Sequence, residues 1–115
     1  MNAFEYGEIR QEQAESGEPY LQFLNQGTMS LGLYALAAGS TDTQSPHAED
    51  EIYCVVAGRG AIVVAEERRP VQPGSIVFVA KEIEHRFVDI EEDLSLLVFF
   101  APEHEPNSSG TPTRR

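Results

Sequence analysis

A chain of 115 residues has room for one domain and one core. Its 8 basic and 19 acidic side chains leave a formal charge of −11, and a surface that acidic repels phosphate backbones and anionic lipid headgroups, so nucleic acid and membrane surfaces are set aside as partners. The single cysteine, Cys54, rules out an intrachain disulfide and fits a reducing compartment; with no basic-then-apolar leader and no apolar run near the ~20 residues that span a bilayer, a cytoplasmic protein is expected.

Residues 1–27 read as an N-terminal arm with edge strands. Phe4, Tyr6 and Ile9 give a short apolar–polar pattern that suits an edge strand or a loose arm, whereas a helix over "EIRQEQAES" would have no apolar face and is set aside. "YLQFLN" from Tyr20 is a short strand closed by the turn "QG". In "TMSLGLYALAAG", Met29, Leu31, Leu33, Ala35 and Ala37 alternate with Ser30, Gly32, Tyr34 and Leu36, the period of two that marks a strand. "GSTDTQSP" is rich in turn formers and is expected as a loop. "EIYCVVAG" and "AIVVAEE" read as two strands of a hairpin closed at "GRG". Val71 is a brief extended residue before the turn "QPGS". "IVFVA" is an apolar strand, "KEIE" a turn, "HRFVDI" a strand, "EED" a turn and "LSLLVFFA" the last strand. The tail, 103–115, is too polar to bury enough apolar area to offset its chain entropy and is expected to be disordered. Seven to nine closely spaced strands, with no ten-residue stretch of helical period, predict an all-β single domain, a sandwich or barrel over 28–102.

Few residues are left to carry chemistry. Of the three histidines, His104 lies in the expected tail and reads as solvated. His47 and His85 each stand at the start of a strand, where a barrel mouth would gather them. If Glu51 points inward, Tyr53 and Val55 follow and Ile52 and Cys54 face away; if His85 points inward, Phe87 and Asp89 follow. Two imidazoles and one carboxylate are donors that divalent iron, manganese, nickel, copper or zinc accepts with coordination positions left open. On composition alone, a histidine beside a turn is more often a surface residue than a ligand. Arg68 and Arg69 read as a solvated turn.

The segment "GSTDTQSPHAEDEIYCVVAG" resembles the first cupin motif, G-x5-H-x-H-x3,4-E-x6-G, with Gly39 opening it, His47 in the second-histidine place, Glu51 in the glutamate place and Gly58 closing it. "PGSIVFVAKEIEHRFVD" resembles the second motif, G-x5-P-x-G-x2-H-x3-N, with Gly74 opening it and His85 in the histidine place. Ser45 stands where the family has its first histidine, and Ala80, Glu82 and Asp89 stand in the proline, glycine and asparagine places. The resemblance covers about residues 28 to 101. It implies a double-stranded β-helix, or jelly-roll barrel, and a divalent metal held by His47, Glu51 and His85. Gln44, Glu49, Asp50 and Asp89 are expected as a fourth ligand or as hydrogen-bond partners of the ligands, and Tyr53 and Phe87 as lining of the ligand pocket. Three readings follow: a metal-dependent enzyme of oxygenase, isomerase or lyase type, similar to the RmlC-like sugar-phosphate isomerases; a non-catalytic binding or sensor module; and a barrel with a closed polar interior. A small-molecule ligand is expected, and a homodimer in which Phe4–Ile9 or Tyr20–Asn25 covers the partner's sheet edge.

Overall fold

The computed structural model describes residues 1–102, so the expected tail and His104 lie outside the described residues. One helix is followed by six strands: α1 (Tyr6–Ser16), β1 (Tyr20–Asn25), β2 (Ser30–Leu36), β3 (Asp50–Val64), β4 (Glu67–Val71), β5 (Ile76–Val79) and β6 (His85–Ala101). All pairings are antiparallel, in the order β1-β2-β6-β3-β4, with β5 also on β3.

Two strands dominate. At about 3.3 Å per residue, the 15 residues of β3 and the 17 of β6 would each span ~50 Å if straight. The longest axis of the molecule is 33 Å, so both strands must bend. The bends are register shifts between Val55 and Ala57, Ala57 and Arg59, and Arg59 and Ala61. Extra residues of this kind kink a strand and increase its twist. Gly58 sits among them at φ 93°, and a Cβ there would collide with the Asp93 carbonyl.

This corrects the sequence reading. "GRG" closes no hairpin, and "EED" is no turn: each pair of expected strands is one bent strand. The hairpin instead turns at Ala65–Glu66 into β4, which among the described residues is an edge strand with no ladder on one side, and so tolerates Pro70. The expected turn at 72–75 is present, closed by Ser75 N–H donating to the Gln72 carbonyl (2.9 Å), and the one expected at 81–84 begins a residue earlier, closed by Ile83 N–H donating to the Ala80 carbonyl (3.2 Å).

The arm is the second correction. Residues 6–16 form a helix although only Ile9 and Gln13 are buried. Its Glu, Gln, Ala and Arg residues favour helix intrinsically, and Gly17 ends it at φ 74° with its N–H on the Ala14 carbonyl. Two specific contacts replace an apolar stripe: Tyr6 hydroxyl bonds Ser95, and Gln13 Nε2 donates to the Glu18 carbonyl at 2.8 Å. The helix packs on β1 and β2.

Inside the bent sheet, Tyr53, Val55, Ile62, Phe87, Leu96 and Val98 form the centre of the core. Alternation along the first half of β3 buries Glu51, Tyr53 and Val55 and turns Ile52 outward.

Candidate metal centre

Glu51 is the second residue of β3 and is 2% exposed; His85 opens β6 and is 3% exposed. They are not lateral neighbours in the sheet. Glu51 pairs with Val79 and Phe100, and His85 pairs with Val64 at the far end of β3. They meet because β3 and β6 bend the sheet around the core. His47 comes from the β2–β3 loop, and its carbonyl accepts from Glu82 N–H at 2.6 Å, which ties that loop to the β5–β6 turn. One donor atom from each of His47, Glu51 and His85 lies within 4.8 Å of the others.

The protonation of His85 can be read from its partners. Nδ1 is 2.8 Å from the Ile83 carbonyl, which can only accept, so Nδ1 carries a proton. In the neutral ring, Nε2 therefore presents a lone pair, and it faces Glu51 Oε1 at 2.8 Å and the Tyr53 hydroxyl at 3.0 Å. With Nε2 unprotonated, the imidazole gives neither carboxylate oxygen of Glu51 a hydrogen bond. A buried carboxylate facing an imidazole lone pair is unfavourable unless a cation lies between them. A proton is one such cation. Burial lowers the His85 pKa, but the Glu51 carboxylate and the Ile83 carbonyl outweigh it and hold the pKa above its ordinary value. A divalent metal is the other, and two imidazoles with one carboxylate are a donor set that such ions accept.

Beside these three lies a cavity of about 220 Å³ lined by Tyr20, Tyr34, Gln44, His47, Tyr53, Val98 and Phe100. One buried acid, Asp42, organises its polar wall. Tyr34 hydroxyl donates to Asp42 Oδ1 (2.7 Å), and Gln44 Nε2 and Phe87 N–H donate to Oδ2 (2.6 and 2.8 Å). With Nε2 so held, the Gln44 amide oxygen points at Tyr53 hydroxyl (2.9 Å) and His47 Nε2 (3.3 Å). Burial first, then the neighbouring acids, push the Tyr34 and Tyr53 phenols far above their ordinary pKa, so both stay protonated as donors.

A family model for the cupin domain matches residues 32–100. An uncharacterized protein of Streptomyces coelicolor is 51% identical over 102 residues, which is 89% of this chain and 97% of that one. The chain is a cupin. Solved structures agree on the fold. KdgF from a Halomonas species superposes with a TM-score of 0.69 at 21% identity, covering 75% of this chain and 79% of that one. An RmlC-like cupin with a double-stranded β-helix fold from Methanocaldococcus jannaschii gives 0.65 at 15% identity, covering 72% and 78%. The cupin's fold is that double-stranded β-helix.

The other residues singled out in the sequence lie elsewhere. Asp50 is exposed and its Oδ1 accepts from Lys81 N–H at 2.9 Å, holding the β5–β6 turn. Glu49 is half-buried beside it. Asp89 does not follow His85 inward: it takes φ 49°, which breaks the alternation, and its carboxylate pairs with Arg68 at 2.7 Å on the surface. Left-handed backbone explains the residue type, because Asn and Asp tolerate it better than other side chains. Phe87 packs edge-on against the Tyr53 ring (5.0 Å) behind the cavity wall and lends Asp42 its N–H. Asp42, Tyr34 and Tyr20 went unnoticed as site residues. Tyr34 carried a signal, since it shares the inward set with Gly32, where a Cβ would run into the Tyr20 ring. Asp42 carried none, being one of 19 acids in a loop of turn formers.

Proposed function

We propose that this cupin holds a divalent transition metal between His47, Glu51 and His85 and acts on a small polar molecule in the adjoining cavity, in a reaction of oxygenase, isomerase or lyase type. The observation that carries this reading is Glu51: a carboxylate 2% exposed, 2.8 Å from His85 Nε2 and within 4.8 Å of a second imidazole nitrogen. When bound, such an ion supplies Lewis acidity and coordination positions open to substrate or water.

The chain's own residues would do the rest. A cavity of about 220 Å³ suits a small ligand. No lysine or arginine is among its lining residues, so a multiply charged anion meets no protein cation there. A compound bearing hydroxyl or carbonyl groups suits the wall better. The Tyr34 and Tyr53 hydroxyl oxygens, whose protons go to Asp42 and Gln44, would accept from it, and Val98 and Phe100 would cover its apolar side. Ser45, exposed in the first-histidine place, offers no further donor and favours the second reading, a binding or sensor module without turnover.

Elemental analysis of untagged protein tests the metal directly. Near-stoichiometric iron, manganese, nickel, copper or zinc is expected, falling at least 100-fold in affinity in Glu51→Gln and His47→Ala. Protein that takes up no metal after dialysis against each ion ends the proposal. Metal without turnover across a panel of small hydroxy and carbonyl compounds leaves the binding module.

A further inference from the structure

A groove of about 550 Å³, more than twice the volume of the cavity beside His47, is built from β4, the second half of β3 and β6. It shares no lining residue with that cavity. Three of the chain's eight basic side chains meet there, Arg59, Arg68 and Arg69. Arg59 comes from the bent middle of β3. Arg68 and Arg69 stand on β4, not in a solvated turn as their sequence context suggests. Ile62 pairs with Arg69 across the hairpin, so Arg59 and Arg69 are three residues, or ~10 Å, apart along the strands, a span that two arginine side chains can close on one ligand.

The three guanidinium groups are not equivalent. Arg68 Nη2 donates to Asp89 Oδ2 at 2.7 Å. Asp89 reaches it from a backbone at φ 49°, a conformation that persists only where the surroundings require it. Arg59 and Arg69 form no ion pair among the described residues. Acids are not lacking: the chain has 19, and Glu91 lines the same groove.

We propose that this groove binds a compact organic polyanion, a small molecule with two or more phosphate or carboxylate groups, on Arg59 and Arg69 as open cations and on Arg68 as a third. The planar fork of a guanidinium matches the oxygens of both groups. Asp89 occupies one N–H of Arg68, leaving others to the ligand, and holding Arg68 beforehand lowers the ordering cost of binding. Size and charge set the class. The volume is within the range of small-molecule sites. An extended polyanion such as a nucleic acid would cross the exposed Glu66 and Glu67 at the head of β4 and Glu92 and Asp93 on β6, so the ligand ends within the groove. A single charge gains little, because Asp89 and Glu91 offset two of the three arginines. Repulsion from the rest of a chain at −11 is screened beyond ~8 Å at physiological salt, so the contacts decide.

Calorimetric titration of the full chain with pyrophosphate, and separately with tricarballylate, tests this. One site per chain is expected, with a dissociation constant of about 100 µM or tighter, weakening as salt is raised. The tighter probe tells whether the anion is a phosphate or a carboxylate. Arg59→Gln and Arg69→Gln should each weaken binding about 10-fold or more; both side chains are exposed, so these variants should fold. Arg86→Gln, at an exposed arginine outside the groove, should change affinity less than about twofold. Glu51→Gln, at the metal centre, should bind both probes as the wild type does. The proposal is overturned if neither probe saturates the protein below about 1 mM, if a groove variant binds like the wild type, if Arg86→Gln costs as much as Arg69→Gln, or if Glu51→Gln abolishes binding.

Discussion

Asp42 is 4% exposed, and its two oxygens accept from Tyr34, from the Gln44 side chain and backbone, and from Phe87 N–H. An asparagine has the same shape but turns one acceptor into a donor. Whichever way its amide is placed, an NH₂ would face either Tyr34 and the Gln44 backbone or the Gln44 amide and Phe87 N–H. Hydrogen bonds to a charged acceptor contribute about 1.5–3 kcal/mol each, so Asp42→Asn should destabilise the fold by about 2–4 kcal/mol. It should also free the Gln44 amide to rotate, and since partners of metal ligands typically matter 10- to 100-fold, metal affinity should fall by about that factor. Urea titration and calorimetric metal titration read the two effects separately. Unchanged metal affinity in a folded Asp42→Asn protein would show that the amide's orientation does not matter to the site.

Among the elements, β3 and β6 decide where the site forms, and their bends depend on few residues. Gly58 is one: its φ of 93° suits glycine, and the Asp93 carbonyl occupies the space of a side chain. Gly74 has a similar φ of 96° but nothing within contact of a Cβ. Gly74→Ala should therefore cost about 1–2 kcal/mol, from backbone strain alone, and Gly58→Ala about 3 kcal/mol or more, from strain plus collision. Equal shifts in urea midpoint would mean that the close strand approach at Gly58 is not what the glycine serves. The same elements show what a sequence makes legible. Period-two alternation marked Glu51 and Tyr53 as inward because packing on one face imposes it. The motif spacing marked His47, Glu51 and His85 because fixed loop lengths carry them. The straight-through bends at "GRG" and "EED" read as turns, since glycines and a run of acids look the same in a bent strand as in a hairpin, and the positive φ at Asp89 lies inside an expected strand with nothing in the alternation to mark it. Helix α1 was missed because Tyr6, Ile9 and Gln13 hold it by single contacts that leave no period.

At the scale of the whole molecule, the buried Glu51–His85 pair gives the metal-free and metal-loaded proteins opposite responses to pH. His85 has its folded pKa raised above 6.5, after the lowering by burial is outweighed by Glu51 and the Ile83 carbonyl. Below about pH 6.5 the ring is protonated in both folded and unfolded chains, and the pair's stabilisation is fully present. As pH rises through the folded pKa the ring loses its proton, the lone pair faces the carboxylate, and that stabilisation is lost. Chelator-treated protein should therefore lose urea resistance from pH 6.5 upward, over the window that ends above the folded pKa. Rising negative charge acts in the same direction in a chain already at −11, so a His85→Gln variant is needed to separate the two: it should keep the shallow charge-driven slope and lose the rest. Metal affinity should run the other way, weakening below about pH 6.5 because protons compete with the ion for imidazole nitrogen. A metal-free protein whose stability climbs between pH 6.5 and 8.5, or a His85→Gln variant with the wild-type slope, would show that the Glu51–His85 pair does not hold a proton in the absence of metal.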